Sequence, residues 1–292
     1  MAKEHISNFL NNFSIEVTPN AAKKIDKFSD HLTSGTLIYV AHIEGTPIEE
    51  TVETAKKISD QGFIPMPHFP ARIIKNKEVL GDWIARYQNE AGVENALLIA
   101  GGANKPYGDY DSSIQLIESE LFDKARFKNL HIAGHPEGNK DIDPSGSTKN
   151  VDEALSWKNE FSKRTDASMA ITTQFCFDSI SVIEWANNIK KSGINIPVHI
   201  GIAGPAKLQT LLRYSIECGV GASIKILQKR AKDITKLLLP YEPTQIISEL
   251  AEYKANNPDF NIEKVHFFPL GGVKKVSEFV TAVSFITTQA VN

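Results

Sequence analysis

Cysteine is scarce in this chain: 292 residues carry two, Cys176 and Cys218, far apart in sequence. A pair so placed makes neither a disulfide framework nor a metal-ligand spacing, and it fits a reducing, cytoplasmic setting. Lys and Arg form no long block and the formal net charge is only -3, so nucleic acid is not an expected partner. Long apolar runs are missing as well. The amino-terminal MAKEHISNFLNNF lacks the apolar segment of a secretory signal. No run approaches the roughly 20 residues that cross a bilayer, so no membrane association is expected. Neither the G-x-G-x-x-G fingerprint nor a Walker A motif occurs, and there is no internal repeat or low-complexity tract. What remains is ordinary globular composition, 41% hydrophobic and 23% charged, in a chain long enough to bury a large core.

Apolar or alternating runs closed by small or polar residues predict strands at 13–17, 36–41, 63–68, 95–100, 129–134, 169–177, 196–203 and 265–270. Amphipathic patterns between them predict helices at 21–31, 48–60, 77–91, 113–122, 151–164, 179–190, in a longer block over 205–239, at 244–253 and at 273–285. Strands alternating with helices argue for parallel β/α units, and eight is the number that closes a barrel in a chain of this size. The expected fold is therefore α/β, a (β/α)8 TIM-type barrel forming one domain over 1–292. The turn-rich loop 134–150 would lie on its active face, where loops of such length are functional or mobile.

Chemistry in such a barrel sits at the carboxyl ends of the strands. There Glu16 is a lone acid in an apolar strand, either a satisfied lumen carboxylate or a proton donor whose pKa is raised by burial. Gln174 is an uncharged amide near the end of the apolar run that stops at Asp178. His42, His68 and His135 also fall at strand ends, but no carboxylate or cysteine spacing accompanies them, so no metal site is expected. Adjacent glycines at 101–102 and 271–272 let the backbone approach a ligand closely. Asn159 and Lys163 share one helix face, which by itself reads as a solvated surface. Periodicity and spacing name no substrate.

In their order along the chain these phrases resemble the methylenetetrahydrofolate reductase family. Glu16-Val17-Thr18-Pro19, Pro67-His68-Phe69, His135-Pro136-Glu137 and Gly201-Ile202-Ala203-Gly204-Pro205 are similar to family motifs. The most specific likeness is Thr173-Gln174-Phe175-Cys176-Phe177-Asp178. The resemblance implies a flavoprotein that interconverts 5,10-methylenetetrahydrofolate and 5-methyltetrahydrofolate by hydride transfer through FAD, with NADH or NADPH as electron donor. It implies Glu16 as general acid and Gln174, Phe177 and Leu208 as folate contacts. His68, Gly101, Gly102, Ala103, His135, Asn159 and Lys163 would contact FAD. The chain departs from the family where Gly102 or Ala103 replaces an acid after the fourth strand. Alternatives are a folate- or flavin-binding barrel without reductase turnover, a branch that oxidises methyltetrahydrofolate, and a metal-dependent barrel lyase or hydrolase. No heptad or apolar stripe specifies a homo-oligomer, and the sequence leaves one open.

Overall fold

A computed structural model of the chain describes residues 2–217, 227–228 and 240–285. Its strands are β1 (Ser14–Val17), β2 (Leu37–Val40), β3 (Ile64–Pro70), β4 (Asn95–Ile99), β5 (Asn129–Gly134), β6 (Ser168–Cys176), β7 (Val198–Ala203) and β8 (Ile262–Phe268). They neighbour one another in chain order and close into a barrel, with helices in the connections. The expected (β/α)8 architecture is thus the observed one. Cys218 and most of the helical block expected over 205–239 lie outside the described residues, apart from a helix at Leu208–Glu217. No described helix is long and apolar enough to cross a membrane.

The helices are α1 (Ala2–Leu10), α2 (Pro19–Ala22), α3 (Ile48–Asp60), α4 (Lys77–Ala91), α5 (Ser113–Glu118) and α6 (Leu121–Lys124). They continue with α7 (Lys149–Ser162), α8 (Ser179–Lys191), α9 (Leu208–Glu217), α10 (Thr244–Asn256) and α11 (Val273–Phe285). Two expected helices are shorter than their patterns. The one expected at 21–31 is a single turn, α2, followed by a 3-10 turn at Phe28–Asp30. Tertiary contacts stop it: Lys57 Nζ donates to the carbonyls of Ala22 and Ile25, Gln61 accepts from the Phe28 N–H, and Phe28 is fully buried. The helix expected at 113–122 breaks because Glu120 takes a left-handed conformation, φ 60°, separating α5 from α6. The amino-terminal helix α1 was not expected. It packs on α10, α11 and β8.

The chain divides into two compact units. In the first, residues 15–133 and 156–171, the parallel register sets Glu16 opposite Tyr39 and Tyr39 opposite Met66. His68 lies opposite Leu97 and Leu97 opposite His131, while His68 shares the Met66 face by the two-residue period. On β3, Phe69 packs edge-on against Phe122 at 5.0 Å and tilted against Tyr87 at 5.3 Å. Tyr87 donates to Thr51 Oγ1 at 2.8 Å, and burial pushes its phenol pKa up. These contacts fix α3, α4 and α6 relative to β3.

In the second unit, residues 1–14, 134–155 and 172–292, Phe175, Phe177, Ala203, Leu208, Leu211 and Tyr241 form a buried apolar cluster. Ser14 and His266 hydrogen-bond at 2.9 Å, joining the start of β1 to β8.

Candidate active site

In the unit holding residues 15–133, the site begins with Glu16 and His68. β1 is a short strand in which Glu16 stands between apolar Ile15 and Val17, and β3 carries His68 between Pro67 and Pro70, whose fixed φ keeps the strand extended. The Nε2 of His68 lies 3.2 Å from a carboxylate oxygen of Glu16, with side chains 10% and 18% exposed. This brings an acid and an imidazole together in a largely desolvated setting, without hydrogen-bond geometry between them. Tyr39 stands edge-on to His68 at 6.2 Å, and its hydroxyl hydrogen-bonds His131 Nδ1 at 2.5 Å. A second buried histidine, His42, is used for packing. It stacks on Trp83 at 4.7 Å and its Nε2 donates to the Thr46 carbonyl at 2.9 Å. Burial lowers the His42 pKa against the opposing effect of that hydrogen bond, and His68 lowers it further.

The β4 end lies against the β3 end. Gly101 has φ 93°, a value that favours glycine, and a Cβ there would come 2.8 Å from the Cβ of Pro70. Beside it the Gly102 backbone faces open space, with nothing within 4 Å of an added Cβ. Ala103 is buried, and its carbonyl accepts from the guanidinium of Arg72 at 3.2 Å. Arg72 also holds Asp111 at 2.8 Å, so one side chain ties the loop after β4 to the turn after β3.

On α7, the sequence-singled residues separate. Asn159 is buried, whereas Lys163 is 61% exposed and pairs with Glu160 at 2.5 Å. Lys158, which the sequence reading passed over, is buried beside Asn159. The amphipathic period was the signal that could have found it, since it places Lys158 on the stripe of Val151 and Leu155.

In the unit holding residues 172–292, Gln174 is half-buried near the end of β6. Its backbone carbonyl accepts from the Thr173 hydroxyl at 2.8 Å, but its side-chain amide has no partner among the described residues. Thr173 in turn accepts from the Gly201 N–H at 2.8 Å. Phe177 meets Phe175 edge-on at 5.8 Å and Tyr241 at 5.3 Å, and Leu208 belongs to the same cluster. Asp178 caps α8 through the Ser181 N–H at 3.1 Å, which is why β6 turns directly into a helix.

His135 is half-buried and opens a turn in which its carbonyl accepts from the Gly138 N–H. The loop 134–150 is tied down by buried Asp143, which accepts from the N–H groups of Asn150 and Val151 and from the Ser147 hydroxyl at 3.0–3.2 Å. Burial pushes the Asp143 pKa up, but these hydrogen bonds outweigh it and the net direction is down. Cys176 is buried and free, and desolvation raises its thiol pKa well above the ordinary value. Among the described residues no group of three or more His, Cys, Asp or Glu is arranged to hold a metal ion.

Comparison with known proteins gives a likeness of fold. No family model matches the chain. A protein of Clostridium thermocellum that binds two copies of 5-methyl-5,6,7,8-tetrahydrofolic acid is similar in structure, with a TM-score of 0.54 and 12% identity. That alignment covers 98% of this chain and 100% of the other. A DHPS of Yersinia pestis with a pterine-sulfa conjugate aligns with a TM-score of 0.48 and 12% identity, over 97% of this chain and 95% of its own.

Proposed function

We propose that this barrel binds a reduced folate at the carboxyl ends of its strands and interconverts 5,10-methylenetetrahydrofolate and 5-methyltetrahydrofolate with FAD. The observation that carries this reading is the half-buried amide of Gln174, which has no protein partner among the described residues. A side-chain amide offers a donor and an acceptor together, the complement of the amide-like edge of a pterin. The fold likeness to a protein that binds 5-methyltetrahydrofolic acid supports the same ligand class.

In the reducing direction, Glu16 would protonate the folate nitrogen that leaves as the methylene bridge opens to an iminium. His68, 3.2 Å away, would orient the carboxyl and return its proton between turnovers. FAD, when bound, supplies the hydride that the iminium carbon accepts. The residues fit such a group in part: the open backbone at Gly102 leaves room for a flat ring, and His68 and buried Asn159 offer polar atoms. Lys163, directed to Glu160 at the surface, does not contribute to the fit. NADH or NADPH would return the electrons.

The second reading is a folate- or flavin-binding barrel without reductase turnover. It is favoured by Gly101-Gly102-Ala103 at the β4 end, where no carboxylate stands to tune a bound flavin. The same change suits a branch that runs toward methyltetrahydrofolate oxidation, because a flavin relieved of a neighbouring negative charge is easier to reduce. The deciding measurement is the visible spectrum of the purified protein, followed by anaerobic addition of methyltetrahydrofolate. Oxidised-flavin bands that bleach uphold the enzyme. A yellow protein indifferent to the folate favours the binding barrel. A colourless protein that cannot be reconstituted with FAD sinks the flavin part of the proposal.

A further inference from the structure

His68 is buried with a ring nitrogen left over. The residue is 8% exposed, and its Nε2 has no hydrogen-bond partner among the described residues. The Glu16 carboxylate lies 3.2 Å from that atom but out of hydrogen-bond alignment. The neighbours in register bring no substitute. Leu97, opposite His68, has no polar side-chain atom, and the hydroxyl of Tyr39, opposite Glu16, is turned to His131 at 2.5 Å. Nor can the ring readily turn away. Pro67 and Pro70 hold its strand extended, and fully buried Tyr39 stands edge-on to it.

Buried polar atoms are paired as a rule, by protein, water or ligand, and an orphan at the carboxyl end of a barrel strand points to a ligand. A carboxyl and an imidazole this close, yet not bonded to each other, suit a ligand atom that takes a proton from one and gives a hydrogen bond to the other. We propose that His68 is a catalytic residue whose Nε2 accepts a hydrogen bond from the folate nitrogen released when the methylene bridge opens. The inference rests on the folate reading and deepens it. In 5,10-methylenetetrahydrofolate that nitrogen is tertiary and carries no hydrogen. Opening breaks its bond to the one-carbon unit, the electron pair of that bond stays on the nitrogen, and the Glu16 proton joins it there. The nitrogen now has an N–H, and an imidazole protonated at Nδ1 presents Nε2 as its acceptor. His68 thus gains a hydrogen bond that the bridged substrate cannot make. An interaction formed only as the bridge opens lowers the barrier to opening.

The test is anaerobic titration of the full chain, of His68→Phe and of His68→Gln with two folates. 5-Methyltetrahydrofolate is added to the reduced protein and 5,10-methylenetetrahydrofolate to the oxidised protein, so that neither reacts. His68→Phe is expected to bind 5-methyltetrahydrofolate about tenfold more weakly, the scale of one lost buried hydrogen bond, and the bridged folate as tightly as wild type does. His68→Gln, which keeps an acceptor, should recover part of the loss. A second readout needs no variant: in wild type labelled with nitrogen-15 histidine, the His68 Nε2 resonance should move with 5-methyltetrahydrofolate and stay in place with the bridged folate. Equal loss for both folates, or loss for neither, overturns the proposal and leaves folate binding intact. An Nε2 resonance that ignores both bound folates overturns it as well, and assigns the orphan to water. A wild-type protein that binds neither folate overturns the folate reading itself, and this inference with it.

Discussion

The N–H of Gly201 donates to the Thr173 hydroxyl, and a Cβ built on Gly201 would lie 2.4 Å from the Thr173 carbonyl oxygen. It would also come 2.7 Å from the Gln174 carbonyl. Both obstacles are backbone atoms, so a side chain at 201 has to move β6 itself. Gly201→Ala is therefore expected to destabilise the protein by about 2 kcal/mol, as overpacking does. It should also weaken folate binding, since Gln174 moves with the strand. Urea unfolding alongside folate titration checks this, and unchanged values for both would show that the strands separate without cost.

Gln174→Leu separates recognition from folding. The amide makes no side-chain hydrogen bond within the described protein, so its loss should leave the melting temperature nearly unchanged. Affinity for 5-methyltetrahydrofolate should fall about tenfold, the value of one or two lost hydrogen bonds. An unaltered dissociation constant would remove Gln174 from the binding site.

Glu16→Gln keeps the shape of the carboxyl group and removes its proton. Flavin binding and reduction by the electron donor should persist, while conversion of methylenetetrahydrofolate drops about 100-fold or more. Stopped-flow absorbance resolves the two half-reactions. Retained transfer in the second would show that the 3.2 Å pair with His68 is structural.

Lys158 makes stability depend on alkaline pH. Its folded pKa of about 8 lies below the ordinary 10.5. Between those values the unfolded chain binds a proton that the folded chain lacks, so this group's contribution rises with pH and is lost as pH falls toward 8. The shift corresponds to about 3 kcal/mol over that window. Lys158→Met should be more stable than wild type near neutral pH, with the advantage vanishing by about pH 10.5. Denaturant unfolding of both proteins across the range reads the difference, and a constant gap would mean that the ammonium is solvated.

Asp143 gives the opposite dependence. Its folded pKa is lowered, so its contribution is present above the unfolded value and disappears as pH falls through the folded one. Asp143→Ala should free loop 134–150 from the start of α7, where the carboxylate now accepts two backbone N–H groups. Faster amide exchange in that loop, with protection elsewhere retained, is the expected result. Acid destabilisation should also be shallower than in wild type.

Much of the barrel was legible before any coordinates. Strand β5 and helices α3 and α4 begin and end where their patterns predict, because each carries a strong apolar period closed by a breaker or a cap. Glu16 and Gln174 were legible as site candidates because a polar residue in an apolar strand has few other uses. Helix α2 was overcalled, since nothing local to residues 23–31 reveals that Lys57 and Gln61 claim its backbone groups. The same blindness explains Lys158, whose charge reads as solvated until its burial is known.

By itself, then, the sequence determined the alternation of strand and helix, the barrel that alternation closes into, and the polar residues that end the strands. Those properties follow from local periodicity and backbone preference, which act over a few residues. The tertiary structure alone decided that His68 faces Glu16 while His42 turns away to stack on Trp83. It likewise decided that Lys163 is neutralised at the surface and Lys158 is buried. Burial and pairing are sums over neighbours distant in sequence, and no local pattern contains them.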